Sequence, residues 1–326
     1  MEKVLTISVS AYNVENTIKD TLDSLLSDLE TMNQMEVIVV DDGSSDGTAL
    51  KVKEYVNKYP DTFCLISKEN GGYGSTINTS VKVAKGKYFK QLDAGDTFET
   101  SNISDFVKYL EQNNADIILG PYIKYYICNK KEELIDNYHE FGRTNESDLD
   151  NIGIFSMPYM HGTAFKTSVW NDYGRDIPEK CFYTDVEYTI HPFAKAKSVA
   201  FYDKPIYRYY LQDEGQSVSK EGIRKHYKDS VRMMWDICDA YDLLCKKDEL
   251  KTNNKIVFEM TLKHVIAFTY TLYSIMGKDF MPEIKNIDKE LKEKYPDIYN
   301  ISNSVKRIKL MRKTGFNMIL LYVKKI

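Results

Sequence analysis

Hydrophobic positions in the first hundred residues follow two rhythms. Residues 4–10 form a short apolar run that predicts a buried strand. Ile18, Leu22, Leu25, Leu26 and Leu29 then recur at helical spacing. A second apolar run over 35–40 ends at Asp41-Asp42-Gly43, and a helix is predicted over 48–59. A third strand over 63–67, a third helix over 75–84 and a fourth strand over 88–92 complete the pattern. Strands alternating with helices imply βαβ units and a parallel sheet, whose ligands sit beyond the carboxyl ends of the strands. Three of those ends carry polar clusters: SAYN, DDGSSDGT and LDAGDT.

Beyond Thr100 the rhythm is mixed. A helix is predicted over 101–113, extended segments over 116–119 and 122–128, and a polar, mobile stretch over 130–150. A strand over 161–166, a helix over 185–195 and two extended pieces around Pro205 follow. From Gly222 the pattern is helical, including Trp235, Leu243, Leu244, residues 257–276 and 305–323. The expected division is an α/β domain over 1–218 and a helical domain over 219–326, with no internal repeat.

Composition narrows the classes. A chain of 326 residues with 13% aromatics and only 8 prolines can bury a core, which excludes disorder. Forty-four basic against 48 acidic residues, net −4, argue against nucleic-acid binding. No signal peptide is read at the start, and no apolar run approaches the ~20 residues of a membrane span. The expectation is a cytoplasmic protein. The five cysteines are odd in number and lack a C-x-x-C pair, which suggests reduced thiols, mostly core fillers. Cys238 and Cys245, seven apart on one helical face, are expected to pack.

The polar clusters are where chemistry can reside. Asp41 and Asp42 place two carboxylates at a strand end, able to accept hydrogen bonds from a ligand's N–H or ribose hydroxyls. Ser45 or Asp46 can cap the following helix. Neither a Walker A sequence nor a G-x-G-x-x-G after the first strand is present. In Asn70-Gly71-Gly72-Tyr73-Gly74 the glycines let backbone approach a ligand, and the helix N-terminus beyond favours phosphate; a plain turn is the alternative. Asp93-Ala94-Gly95-Asp96 could hold a divalent cation through hard oxygen ligands, or cap the next helix. His161 and His191 read as structural.

Near the carboxyl terminus, Lys306, Arg307, Lys309, Arg312, Lys313, Lys324 and Lys325 are interleaved with Ile308, Leu310, Met311, Phe316, Ile319, Leu320 and Leu321. Such a basic amphipathic segment over 305–326 can contact an anionic membrane surface, or pack within the protein.

Taken in order, Ser10-Ala11-Tyr12-Asn13, VVDDGSSDGT, Asn70-x-Gly72 with Asn78, Ala84-x-Gly86-x-Tyr88 and LDAGD resemble family 2 glycosyltransferases. The resemblance covers about residues 4–100. It continues more loosely through Thr184-Asp185, Pro205-Ile206-Tyr207-Arg208-Tyr209 and Gln216-Ser217-Val218-Ser219. It implies an α/β GT-A fold: a Rossmann-like, mostly parallel central sheet flanked by helices, followed here by a helical region. It also implies a nucleotide-sugar site formed by Ser10, Tyr12, Asp41, Asp42, Asn70, Gly72 and Asp93, with Tyr12 stacking on the base. Asp93 and Asp96 would be the ligands of Mn or Mg, and Asp185 the general base.

Two positions depart from the family pattern. Gly95 replaces the third residue of D-x-D-D, the usual direct metal ligand. Thr184 replaces the Glu of Glu-Asp, with Glu187 as a fallback base.

The reaction expected is inverting transfer from a nucleotide sugar, taken as a UDP-sugar, to a hydroxyl of a saccharide or lipid-linked acceptor in cell-surface polysaccharide synthesis. A carboxylate takes the acceptor's proton, and cationic groups such as Arg224 or His226 could help the leaving diphosphate. The enzyme would work in the cytoplasm or at the inner membrane face, and oligomerisation is left open. One rival is an inactive nucleotide-sugar-binding or scaffold protein, which Gly95 favours. The other is a nucleotidyltransferase, whose glycine-rich, Lys/Arg-containing loop is missing from residues 10–16.

Overall fold

The computed structural model describes residues 2–153, 156–211 and 220–316. Contacts divide the chain into two compact units, Met1–Gly153 with Pro158–Asp213, and Ile154–Met157 with Glu214–Ile326.

The first unit begins with β1 (Leu5–Ala11), α1 (Ile18–Asp23), α2 (Leu29–Gln34) and β2 (Met35–Asp41). Then come α3 (Thr48–Lys58), β3 (Phe63–Ser67), α4 (Tyr73–Val83), β4 (Tyr88–Asp93), β5 (Thr97–Phe98) and α5 (Thr100–Gln112). It continues through β6 (Ile117–Leu119), β7 (Tyr122–Tyr126), β8 (Lys131–Ile135), β9 (Ser147–Asp148) and β10 (Thr163–Lys166). It closes with α6 (Thr167–Tyr173), α7 (Asp185–Phe193), β11 (Ser198–Phe201) and β12 (Tyr207–Leu211).

Every residue of β2 is buried, and all of β1 but Ser10, as expected of parallel strands covered on both faces. The main sheet has the order β3-β2-β1-β4-β10-β6-β11-β9. Its β3-β2-β1-β4 half is parallel, and β10 then runs antiparallel to both β4 and β6. Register decides where the chemistry collects. Ser10 lies opposite Val40 and Asp93, and Ala11 opposite Asp41. The three polar clusters therefore share one edge of the sheet. A smaller sheet, β5-β12-β7-β8, carries alternating tyrosines, with Tyr207 opposite Tyr122 and Tyr209 opposite Lys124.

Three local expectations need correction. The helical run from Ile18 to Leu29 is two helices, because Asp28 accepts a bond from the Thr31 amide (2.9 Å) and starts α2; Leu29 is exposed. Residues 130–150 contain β8 and β9, and aromatic contacts tie the segment down. Phe141 stacks on Phe201 (centroids 4.2 Å apart), Tyr109 donates to the Thr144 carbonyl (2.7 Å), and Arg143 pairs with Asp105 and Asp203. His161 lies in the short 3-10 turn Met160–Gly162 before β10.

The second unit comprises α8 (Lys220–Lys246), α9 (Thr252–Met276), α10 (Met281–Lys294), α11 (Pro296–Ser302) and α12 (Lys306–Lys313). Ile308, Met311 and Phe316 are buried, so the apolar side of the basic segment faces the protein interior. Arg312 Nε donates to Asp288 Oδ1 (2.7 Å), which also accepts the Tyr270 hydroxyl (2.6 Å). The Arg312 guanidinium lies 3.7 Å from the Tyr299 ring centroid. The packing alternative thus holds for residues 306–316; residues 317–326, on which the rest of the membrane expectation falls, lie outside the described residues. Among the described residues no helix is long and apolar enough to cross a membrane. The thiols are less buried than expected: Cys181 and Cys238 are core residues, while Cys64, Cys128 and Cys245 are exposed.

Candidate active site

The loops after β1 and β2 are stitched together. Asn13 takes a left-handed conformation (φ 52°), which lets its side-chain oxygen accept the Ser45 amide (2.8 Å) while its own amide donates to Ser44 Oγ (2.9 Å). Asp46 caps α3 by accepting the Thr48 amide (3.0 Å) and also receives the Glu15 amide (3.1 Å). This frame leaves Tyr12 projecting: it is 52% exposed and has no ring or hydrogen-bond partner among the described residues. Ser10 is tied inward instead, sharing a hydrogen bond with Thr76 Oγ1 and accepting one from Gln91 Nε2 (2.8 Å).

Asp41 accepts the Ser44 amide in a tight turn (3.0 Å). Asp42 is buried, and its oxygens are occupied from within. Oδ1 receives the Gly71 amide (2.9 Å) and Lys68 Nζ (3.0 Å), and Oδ2 receives the Gly72 amide (2.8 Å). The Asn70 side chain donates to the Asp42 carbonyl (3.0 Å). Through these bonds Asp42 shapes the 70–72 loop. Gly72 is required there, because its φ is +81° and a Cβ would lie 3.1 Å from the Lys180 amide.

Asp93, at the end of β4, accepts the Tyr73 hydroxyl on Oδ1 (2.5 Å). Asp96 is buried, with the Tyr207 hydroxyl on Oδ2 (2.6 Å) and the Tyr210 amide on Oδ1 (2.8 Å). Burial raises both carboxyls above the usual range, and Asp93 pushes Asp96 up further. Gly95 has φ +112°, a conformation that L side chains rarely adopt, so a carboxylate-bearing residue at this position would be strained.

This donor set fits a divalent cation poorly. Hard cations demand several free oxygens, and both oxygens of the buried Asp96 already accept a hydrogen bond from the protein. Among the described residues no group of three or more His, Cys, Asp or Glu gathers as a metal cage. Asp96 is thus held within the protein's own hydrogen bonds, and Asp93 is the less enclosed of the two acids expected as ligands.

Asp185 opens α7 with its side chain exposed. Its carboxylate has no side-chain partner among the described residues. Desolvation by the surrounding protein raises its pKa, while its own amide and that of Val186 pull the other way. The Asp185 charge also raises Asp93, which places the two carboxylates within electrostatic reach. Glu187 is fully buried, and so is turned away from solvent-borne ligands. His191 is buried beside Tyr173 (centroids 4.6 Å). Arg224 and His226 belong to α8 in the second unit, where His226 faces Asp229 at 3.3 Å.

His161 is held between Tyr122 (4.9 Å) and Tyr209 (4.4 Å), with Tyr207 edge-on (4.9 Å). Burial and nearby Lys90 lower its pKa to about 3, so it is neutral and structural. Desolvation lowers Lys90 to about 7; its Nζ donates to the carbonyls of His161 (2.8 Å) and Thr163 (3.1 Å). Sequence reasoning missed Tyr73, Tyr207 and Tyr209 as site residues. Their signal was position: one tyrosine inside the glycine loop, and two alternating on one strand.

Comparison with known proteins bears on the family and the fold. The model for glycosyl transferase family 2 matches residues 6–169. An uncharacterized glycosyltransferase of Mycoplasma genitalium is 29% identical over 241 residues, covering 72% of this chain and 78% of its own. Glycosyltransferase GlyA of Streptococcus pneumoniae is 31% identical over 156 residues, 48% of this chain and 21% of its own. Among solved structures, S. aureus TarS 1–349 in complex with UDP-GlcNAc superposes with a TM-score of 0.63 at 20% identity, covering 93% of this chain and 92% of that one. Mannosyltransferase PcManGT from Pyrobaculum calidifontis, in complex with GDP-Man and Mn2+, gives 0.51 at 14% identity, covering 98% and 88%.

Proposed function

The chain belongs to glycosyl transferase family 2, and from that premise we propose that it moves a sugar from a UDP-sugar to a hydroxyl of a saccharide or lipid-linked acceptor, inverting the anomeric carbon. The observation that carries the reading is Asp185: an exposed carboxylate without a side-chain partner, held near Asp93 on a sheet whose carboxyl edge also carries Tyr12 and the Asp42-shaped loop.

The base stacks on Tyr12, and the turn at Asp41 and the 70–72 loop receive the rest of the nucleotide. Ser10 and Asp93 border the ribose and the diphosphate. Asp185 accepts the acceptor's hydroxyl proton as that oxygen bonds to C1. The C1–O bond to phosphate breaks, and its electron pair leaves with UDP. One base and one displacement invert C1. No step is routed through a metal, since among the described residues no cluster of acids gathers as a cage for one.

TarS, solved with UDP-GlcNAc on the same fold, supports the choice of a uridine nucleotide. The cytoplasmic side of a membrane is the setting in which this donor would meet a lipid-linked acceptor. The Gly95 departure favours a second reading, a nucleotide-sugar-binding protein without turnover.

Incubation with a panel of UDP-sugars separates the two. The transferase releases UDP, and Asp185→Asn abolishes the release while leaving UDP binding intact. A wild-type protein that binds UDP-sugars without any turnover supports the second reading.

A further inference from the structure

We propose that the half-exposed face of the smaller sheet is the acceptor subsite, where a pyranose ring stacks on Tyr209 at one end of an aromatic ladder. This rests on the reading of Asp185 as the base.

The ladder is built from two strands and a turn. Tyr122 on β7 and Tyr209 on β12 lie on the same face of the sheet, since Tyr207 is opposite Tyr122 and residues two apart share a face. His161 fills the space between their rings at 4.9 and 4.4 Å, nearly parallel to both. Tyr122 is the buried end and Tyr209 the half-exposed end. Among the described residues the only ring against Tyr209 is His161, and its hydroxyl makes no hydrogen bond.

A tyrosine with one ring face covered, partial exposure and an idle hydroxyl is suited to an amphipathic ligand. A sugar presents C–H groups from one ring face and hydroxyls around its rim. The ring face takes the first and the phenol the second. The neutral His161 behind it is fixed on both sides, so the platform loses little freedom when it is occupied.

Position links this platform to the reaction. Burial raises the Tyr209 phenol to about 12, and the carboxylates of Asp96, Asp93 and Asp185 add to that rise. Geometry makes the same link: Tyr209 lies between Tyr207, whose hydroxyl donates to Asp96 (2.6 Å) and accepts the Asp93 amide (3.2 Å), and Tyr210, whose amide donates to Asp96 (2.8 Å), whereas Tyr12 marks the nucleotide end just past β1. Lys124, across the strand pair from Tyr209, adds a donor on the same face. Tyr159, 39% exposed and 6.3 Å from Tyr122, extends the aromatic surface.

The test is saturation-transfer NMR on the full chain loaded with UDP, using methyl β-glucoside, methyl β-galactoside and methyl β-N-acetylglucosaminide as probes. Tyr209→Leu keeps apolar bulk against His161 but removes the ring face; Tyr209→Phe keeps the ring. The wild type should show transfer strongest to the axial ring protons of at least one glycoside, Tyr209→Phe should retain it, and Tyr209→Leu should lose about fivefold or more. UDP affinity should be equal in all three proteins. Glycoside binding unchanged in Tyr209→Leu, or no glycoside binding by a wild type that binds UDP, overturns the acceptor subsite alone. Failure of the wild type to bind UDP overturns the transferase reading, and this inference with it.

Discussion

Tyr73 donates its hydroxyl proton to Asp93 Oδ1 at 2.5 Å, joining the glycine loop before α4 to the acid that ends β4. The bond favours the ionised form of Asp93 against the opposing effects of burial and the Asp185 charge. Tyr73→Phe should leave the fold intact and lower kcat by about tenfold, within the range for a lost hydrogen bond to a charged group. The pH profile carries the specific signature. Without that donor the Asp93 pKa rises further, so the acidic limb should move to higher pH. An unshifted profile would assign Tyr73 to packing alone.

Asp185 is expected to be essential for turnover and dispensable for donor binding. Asp185→Asn should cut kcat by about two orders of magnitude or more, with UDP affinity by calorimetry unchanged. Activity within a few-fold of the wild type would remove it from the role of base.

The pH dependence follows from the partial desolvation of Asp185 by the protein around it. Asp185 must be ionised to accept a proton, and desolvation raises its pKa above the ordinary carboxylate value of about 3.9. Activity should therefore fall as pH decreases through a limb lying above that value. In Asp185→Asn the residual rate should lose the Asp185 contribution to that limb and keep only the one set by Asp93.

Restoring the family's acid at position 95 should not restore a metal site. With φ at +112°, any side chain there is strained by about 1–3 kcal/mol, although open space surrounds the Cβ position, with Thr17 Oγ1 at 3.6 Å. Gly95→Asp should lower the melting temperature, and Mn2+ should stabilise neither it nor the wild type. A Mn2+-dependent rise in melting temperature in the wild type would show that the acids can rearrange into a site.

Arg312 closes the helical unit. Its pair with Asp288 is almost fully buried, so Arg312→Ala should destabilise that unit by about 3–5 kcal/mol, more than Arg312→Met. Equal melting temperatures for the two variants and the wild type would mean that the segment does not depend on this anchor.

Much of this was legible in the chain. The strands β1 to β4 and the three polar clusters at their ends follow from apolar runs with polar punctuation, because parallel strands are buried on both faces. The small sheet was harder to read: its strands are short, and tyrosine, lysine and arginine on them are half-buried, so their alternation gives little contrast. β8 was hidden entirely, since Lys131, Glu132 and Glu133 on an exposed edge strand read as loop. Roles within the clusters were the least visible. Sequence order placed Asp42 and Asp96 at the site, but only geometry shows that amides and a phenol already occupy their oxygens.

The most direct measurement is a crystal structure of the protein soaked with a hydrolysis-resistant UDP-sugar analogue. The expected density has uracil against the Tyr12 ring, the diphosphate beside Asp93 and the 70–72 loop, and the anomeric carbon open toward Asp185. A nucleotide bound elsewhere, with this edge of the sheet empty, would contradict the account.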